Sequence, residues 1–390
     1  MKPRCKHFGV CGGCSTQNLS YDQQLQKKLD HVRDELKNGA GIAPKMIKPV
    51  IGMAEPWFYR NKASLPVQRR NGKVVLGYFE PESHRVCDME ECFIQHKAIT
   101  MMALELKKLM QEYDISIYDE NAENQAAGKA GLVRHVIIRR GNTSKQMLLG
   151  FVSRETKIPN INKVIRKLGM KFPNLVGVVL NHNTVVGNVI MGEENLTLWG
   201  YPQLTDQMGK LKFAVGLSSF YQTNSAQAEK AYDKVKDFAR LTGKEKVWDI
   251  YCGIGTISLW IASSARYVVG IEEVQEAVQN AAWNADSNQI PNVKFAAGRA
   301  EEVIDELMED KKRLPQVVIV NPPRAGLSSS VLHKILEIGP DRLIYVSCNP
   351  ATLARDLRQM TQGRYQVMSV QPYDFFPQTS HVENVVLIKK

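Results

Sequence analysis

The stretch Lys246-Val247-Trp248-Asp249-Ile250-Tyr251-Cys252-Gly253-Ile254-Gly255-Thr256 decides how the second half of this chain folds. It reads as a short buried strand carrying Asp249 near its end. Two glycines then permit a tight turn and close backbone approach to a ligand, before a helix from Ile257. The next strand, Tyr267–Ile271, ends in Glu272, about 20 residues after the turn, where a carboxylate can hydrogen-bond both hydroxyls of a ribose. No third glycine opens the helix and nothing suggests a pyrophosphate clamp. S-adenosylmethionine (SAM) therefore fits better than a dinucleotide.

Working outward, strands and helices alternate from about Phe220, which predicts a parallel sheet with helices on both faces. Val317–Val320 runs into Asn321-Pro322-Pro323-Arg324, and Leu343–Val346 runs into Ser347-Cys348-Asn349-Pro350. Ligands of such sheets bind beyond the carboxyl ends of the strands, so these turns share one crevice with the glycine turn. An Asn-Pro-Pro loop can hold an exocyclic amine, but Arg324 stands where a ring would stack on a base. Asn349 can cap the following helix and Pro350 suits its first turn, so Cys348 lies at a helix N-terminus. The helix dipole should lower its thiol pKa and make it a nucleophile. Cys252 reads as packing. Near the C-terminus, His381 and Glu383 precede the last strand and are both candidate bases.

The first half carries the charge and most of the cysteines. Of 390 residues, 51 are Lys or Arg and 40 are Asp or Glu, a formal charge of +11. Ten of the basic residues fall between Gly131 and Lys171 against one acid, Glu155. A second basic stretch, Arg60, Lys62, Arg69, Arg70 and Lys73, follows the rings of Trp57, Phe58 and Tyr59. Cations that neutralise phosphates beside rings that stack on bases suit single-stranded nucleic acid. Arg60, Lys62, Arg134 and Arg139 are the expected contacts. Short strands such as Lys73–Phe79, Val133–Arg139 and Leu175–Asn181, with hairpin signals at Asn71-Gly72 and Gly141-Asn142, predict an α+β region. Behind a Ser20 cap, Tyr21, Leu25, Leu29, Val32 and Leu36 make a helical core stripe.

Cys5, Cys11 and Cys14 bunch around Gly12-Gly13, with Cys87 or Cys92 available as a fourth thiolate. Such a set suits an iron–sulfur cluster or a structural zinc, in which His7 could replace one thiolate. Hydrophobic residues make up 44% of the chain and charged residues 23%, which excludes a mostly disordered or collagen-like protein. No apolar run reaches the ~18 residues of a membrane span, and the first residues lack a signal peptide's apolar core. A cytoplasmic monomer with no membrane partner is expected. The expected domains are 1–215 and 216–390.

Together these residues resemble the RNA uracil-C5 methyltransferases, which make 5-methyluridine in tRNA and 23S rRNA. Phe220-Tyr221-Gln222-Thr223-Asn224 with Gln227-Ala228-Glu229, the Asp249–Gly255 turn, Ser347-Cys348-Asn349-Pro350 and His381-Val382-Glu383 all match family motifs. The resemblance implies SAM contacts from Gln222, Tyr251, Thr256, Glu272 and Asn321. It implies Cys348 as nucleophile and Glu383 as base. Cys5, Cys11 and Cys14 resemble the [4Fe–4S] module of the rRNA-modifying branch, whose fourth ligand precedes an apolar helix, as Cys92 does. The implied architecture is a C-terminal Rossmann-like SAM-dependent domain. Before it comes an N-terminal and central α+β RNA-recognition domain bearing the iron–sulfur module.

Three departures refine this. Asn321 stands where the commoner loop has Asp, and Arg299 where relatives often place a polar or acidic adenine contact. No room precedes Cys5 for the small β-barrel that many relatives carry. The cluster-type cysteines, the missing barrel and Asn321 favour 23S rRNA, with the tRNA T-loop as the alternative. Other readings are an exocyclic-amine methyltransferase, a 5-methylcytosine enzyme, and a non-catalytic iron–sulfur RNA-binding protein.

Overall fold

The computed structural model describes residues 2–119, 131–185 and 187–390. Its contacts divide the chain into two units that do not follow a single linear boundary. One comprises Met1–Asn18, Pro56–Gln207 and Ala214–Ser218; the other comprises Leu19–Glu55, Met208–Phe213 and Ser219–Lys390. The segment Leu19–Glu55, expected with the first half, thus belongs with the second.

The first unit is built on a six-stranded sheet. Its strands are β1 (Lys62–Arg70), β2 (Lys73–Leu76), β3 (Val133–Arg140), β4 (Met147–Ser153), β5 (Leu175–His182) and β6 (Glu194–Gly200), in the order β2-β1-β3-β4-β5-β6. Asn71 (φ 51°) and Gly72 (φ 74°) make the β1–β2 turn, as a two-residue hairpin with both centres left-handed requires. The expected β3–β4 hairpin forms, but through a longer loop. There the Asp206 carboxylate accepts from the N–H groups of Asn142, Thr143 and Ser144 at 2.8–3.2 Å. Parallel pairing of β4 with β5 requires a crossover, supplied by the helix Ile161–Lys171. That helix and Lys97–Glu112 cover one face, where Leu65, Val136, Ile138 and Leu149 meet Leu106 and Leu168. A hairpin, β7 (Gln203–Met208) and β8 (Leu211–Gly216), follows.

The second unit carries a seven-stranded sheet of β9 (Lys246–Ile250), β10 (Tyr267–Glu272), β11 (Val293–Ala297), β12 (Val317–Val320), β13 (Arg342–Ser347), β14 (Gln366–Tyr373) and β15 (Glu383–Lys389). The order is β11-β10-β9-β12-β13-β15-β14. The first five strands are parallel and β15 is antiparallel to both of its neighbours. Strand order reverses between β9 and β12, so the carboxyl ends of these strands open the crevice in which ligands of open α/β sheets bind. Near-continuous apolar runs such as Val317–Val320 are buried on both faces, as helix-covered parallel strands demand.

The helix Tyr21–Ala40 joins this unit. Ser20 and Gln23 form a reciprocal capping box, and Leu29, Val32 and Leu36 enter the core with Leu353 and Leu357. Buried Lys28 pairs with Asp374 at 2.5 Å, and Tyr21 donates to the same carboxylate at 2.9 Å. Among the described residues, no helix is long and apolar enough to cross a membrane.

Candidate active site

The glycine turn is left-handed at Tyr251 (φ 66°), Gly253 (φ 57°) and Gly255 (φ 80°). A Cβ at Gly255 would lie 2.7 Å from the Phe295 ring, so the close approach there requires glycine. The turn is tied to β10: Tyr251 N and Cys252 N donate to Ile271 O at 2.9 and 3.0 Å. Glu272 is fixed by backbone donors, Gly253 N to Oε2 and Val274 N to Oε1, each 3.0 Å. The carboxylate predicted to hold a ribose is thereby oriented at the end of its strand. Asn321, at the end of β12, donates its N–H to Ile250 O at 3.2 Å. Thr256 Oγ1 lies 3.2 Å from the Tyr232 hydroxyl, which also bonds the Gln222 side chain.

Asp249 is legible in the sequence as the strand's last acid but not as a site residue. It is fully buried; Ser258 donates to Oδ2 at 2.6 Å, while Oδ1 has no partner among the described residues. Burial pushes this carboxyl up to about 7. Burial and the carboxylates of Glu301, Glu273, Asp356 and Glu272 push the Tyr251 phenol up to about 12. The crevice is therefore rich in acceptors. Cys252 is buried, with its thiol raised well above the usual value by desolvation, in keeping with packing.

Cys348 follows β13, and Asn349 caps the helix Pro350–Thr361 through Oδ1, which accepts from Ala351 N at 3.1 Å. In the β13–β15 ladder Ser347 faces Asn384, so their neighbours Cys348 and Glu383 sit side by side. Glu383 is buried, which pushes its carboxyl up to about 8. The helix is expected to acidify the Cys348 thiol; instead burial and the nearby Glu383 charge raise it. Opposing them is Arg324, whose guanidinium hydrogen-bonds the thiol and favours the thiolate.

The loop carrying Arg324 is held to the nucleophile loop, because its carbonyl accepts from Asn349 Nδ2 and Thr352 Oγ1, both at 3.1 Å. In the sequence Arg324 signals only the absence of a stacking ring. Of the two candidate bases, the structure keeps Glu383 beside the thiol. His381 is exposed, its ring 5.9 Å from that of Phe376.

In the first unit, Cys5, Cys11, Cys14, Cys87 and Cys92 all line one pocket. Gly12 N donates to Phe79 O at 2.9 Å, and a Cβ there would fall 2.7 Å from that oxygen, so glycine allows the wrap. Each of the four sulfurs expected as ligands receives an N–H. Cys5 takes one from the His7 backbone, Cys11 one from Gly13 N at 3.4 Å, and Cys92 two from Ile94 and Gln95. Cys14 is met by Gln17 Nε2 at 3.3 Å, and Gln17 Oε1 accepts from Cys5 N at 3.1 Å, stapling two of the set together.

Cys87 meets Cys11 and also lies 3.9 Å from His7 Nδ1, while His7 Nε2 accepts from Glu90 N. Burial pushes Cys11 up to about 12 and Cys14 up to about 11, so these thiols resist ionising without a cation among them. Among the described residues, no three His, Cys, Asp or Glu groups converge as a single ion such as zinc requires.

Two expected RNA contacts are corrected. Arg134 is buried and donates to Val185 O and Gly187 O at 2.5 and 2.9 Å; Arg139 is buried and donates twice to Leu217 O at 3.1 Å. Both hold backbone carbonyls instead of facing solvent. Arg60 lies beside the Tyr59 ring and bonds Tyr78 near the thiols. Lys62, beside Arg139, is pushed down to about 7 by that charge and by burial.

Residues 203–390 match the family described as tRNA (uracil-5-)-methyltransferase. An uncharacterized RNA methyltransferase of Halalkalibacterium halodurans is 42% identical over 385 residues, covering 99% of this chain and 82% of its own length. One from Staphylococcus aureus is 40% identical over 386 residues, 99% of this chain and 83% of its own. Among solved structures, the Pyrococcus abyssi tRNA (uracil-54, C5)-methyltransferase in complex with S-adenosyl-L-homocysteine superposes with a TM-score of 0.76. It is 25% identical and covers 97% of this chain and 86% of its own.

Proposed function

The chain belongs to the RNA uracil-5-methyltransferase family, and we propose that it methylates C5 of a uridine in 23S rRNA, using SAM and a transient bond to Cys348. The observation that carries this is Cys348 lying beside Glu383 just past the Ser347–Asn384 pair that ends the β13–β15 ladder, with Arg324 on the thiol. Uracil C5 is a weak nucleophile, and covalent addition is the remedy. The Cys348 thiolate adds to C6, and the electron pair of the C5–C6 bond moves toward C5 and O4. C5 attacks the electrophilic methyl group that SAM would supply, and the sulfur–methyl bond breaks to leave the neutral thioether S-adenosylhomocysteine. Glu383, poised near neutral pH by burial, takes the C5 proton; the C6–S bond then breaks and returns the thiolate.

An acceptor-rich crevice suits a cosubstrate bearing a sulfonium and an ammonium. Glu272 is oriented for its ribose, Gln222, Tyr251, Thr256 and Asn321 serve as further contacts, and the orphaned Asp249 Oδ1 offers an acceptor to an ammonium. A uridine must leave its stack to reach such a site.

Cys5, Cys11, Cys14 and Cys92 would hold a [4Fe–4S] cluster. What supports this is the gathering of these cysteines round one pocket, together with the family resemblance of the Cys5-Cys11-Cys14 run; a cluster binds one thiolate at each iron. Its contribution would be to cross-link the N-terminal segment to the loop bearing Cys92.

The cysteine run and Asn321 support rRNA. Likeness to the Pyrococcus abyssi enzyme supports the second reading, a tRNA substrate. Mapping 5-methyluridine in rRNA and tRNA from cells lacking the protein decides between them. Loss of one rRNA site, restored by the wild type and not by Cys348→Ala, is the expected result. Loss in tRNA alone selects the second reading, and no change in either sinks both.

A further inference from the structure

The first unit holds a second cavity of about 530 Å³, on the sheet face opposite its helices. Along β3, Val136 and Ile138 enter the helix-covered core, so the alternation of a strand sends His135 to the other face. Pro66 of β1 pairs with His135, and Gln68 and Arg70 continue along that face. The cavity has a buried floor and an exposed rim. Arg134 and His135 are floor; Arg69, His84 and Arg85 are rim. Four arginines, Arg69, Arg70, Arg85 and Arg134, line it beside one acid, Asp119; Arg69 is held by Asp114 at 2.9 Å, and Arg85 meets Glu80 at 3.3 Å in an exposed pair that a phosphate can compete with.

Rings accompany the charge. Phe79 lies 5.9 Å from His84 and 6.3 Å, edge-on, from His135. Tyr118 carries the guanidinium of Arg134 at 5.1 Å and that of Arg154 at 5.4 Å. His135 is 8% exposed and its Nδ1 has no partner among the described residues. A buried imidazole nitrogen left unbonded in a polar cavity is costly unless a ligand meets it. Burial and Arg134 push this ring down to about 4, so it stays neutral and can read the hydrogen-bonding edge of an uncharged group.

We propose that this cavity binds one unstacked nucleotide of single-stranded RNA, distinct from the uridine at Cys348. The volume suits a mononucleotide. The base stacks at the Phe79–His84 wall, His135 Nδ1 meets its edge, and Arg85, exposed at the rim, neutralises a flanking phosphate. This rests on the RNA reading above and deepens it: the substrate must present a second extruded base.

The test uses the full-length protein and a fluorescent single-stranded RNA decamer containing no uridine, so that the methylation site is not engaged. Anisotropy titrations compare the wild type, Cys348→Ala, the rim variant His84→Ala/Arg85→Ala, and His135→Val. The rim variant should bind ~10-fold or more weakly, with the salt slope reduced by about 0.7 because one phosphate of a single strand is no longer neutralised. His135→Val should bind several-fold more weakly and Cys348→Ala like the wild type. Photocrosslinks from the bound RNA should map to peptides containing His84 or Tyr118.

A rim variant within two-fold of the wild type, or crosslinks confined to other peptides, overturns the proposal whether or not His135→Val folds. The same variants are assayed for methyl transfer, where KM should rise with kcat kept. If the wild type methylates uridine and the rim variant's KM is unchanged, the pocket fails and the methylation reading survives. If the wild type methylates nothing while decamer binding still depends on the rim, the reverse holds.

Discussion

Two sites in this molecule are built on desolvated cysteine, and they are prepared for opposite ends. At the N-terminal pocket, Cys5, Cys11, Cys14 and Cys92 meet backbone or amide N–H groups, and each thiolate would be repelled by the others. Such a set is stable only as thiols or around a cationic guest. At Cys348 a single thiol stands between one guanidinium and one buried carboxyl. There the proton can move to and from the sulfur within a reaction cycle. The number of thiols and the presence of a carboxylate, more than the cysteine itself, set the chemistry.

The largest expected effect separates the two sites. Cys348→Ala should lower methyl transfer by ~10⁴-fold or more while leaving RNA and SAM binding intact, read by radiolabelled methyl incorporation. Cys14→Ser should instead lower the melting temperature and the absorbance near ~400 nm expected of a bound cluster, in protein purified without oxygen. If Cys14→Ser behaved like Cys348→Ala in otherwise stable protein, the division of labour between the sites would collapse.

Glu383→Gln probes the carboxyl that the N-terminal pocket lacks. With addition and methylation intact but no base at C5, turnover should fall by ~10³-fold. A protein–RNA adduct stable on denaturing gels should accumulate, and vanish in the double variant with Cys348→Ala. Unimpaired turnover, or no adduct, would remove Glu383 from the base role.

Local sequence carries the glycine turn, because strand, glycines and following helix are one contiguous signal. It also carries the Ser20 cap and the Asn71-Gly72 hairpin. What it does not resolve depends on residues far apart. His381 and Glu383 are equal candidates until the pairing of Ser347 with Asn384 sets Glu383 beside the thiol. The helix Tyr21–Ala40 follows the cysteine run directly, yet its buried Lys28 is matched by Asp374, 346 positions away. Arg134 and Arg139 read as surface charge because composition does not reveal which carbonyls a guanidinium meets. Arg324 is visible, but its role depends on a loop from the next strand.

Arg324 distinguishes the reactive thiol from a merely buried one, and its removal should have a moderate effect. In Arg324→Leu the Cys348 thiol should move further up, and its alkylation rate at pH 8, followed by mass spectrometry of that peptide, should drop ~10-fold. Cys252, fully desolvated, should alkylate slowly in both proteins. An unchanged Cys348 profile would mean that the guanidinium packs beside the sulfur without tuning it.

The smallest effect concerns stability. Glu383 is raised in the folded chain from 4.5 to about 8, so its contribution is fully present below pH 4.5 and is lost as pH rises through about 8. Asp249 acts in the same direction between 3.8 and about 7, whereas Lys62, lowered to about 7, adds stability as pH rises above that value. Only a difference measurement isolates the active-site carboxyl. Between pH 5 and pH 8, the stability of the wild type relative to Glu383→Gln should fall by at most about 1.4 kcal/mol per pH unit, measured by urea unfolding. A difference that stays flat would mean that Glu383 ionises in the fold as it does in water. Burial would then not be what readies it for the C5 proton, and the contrast with the N-terminal thiols would rest on Arg324 alone.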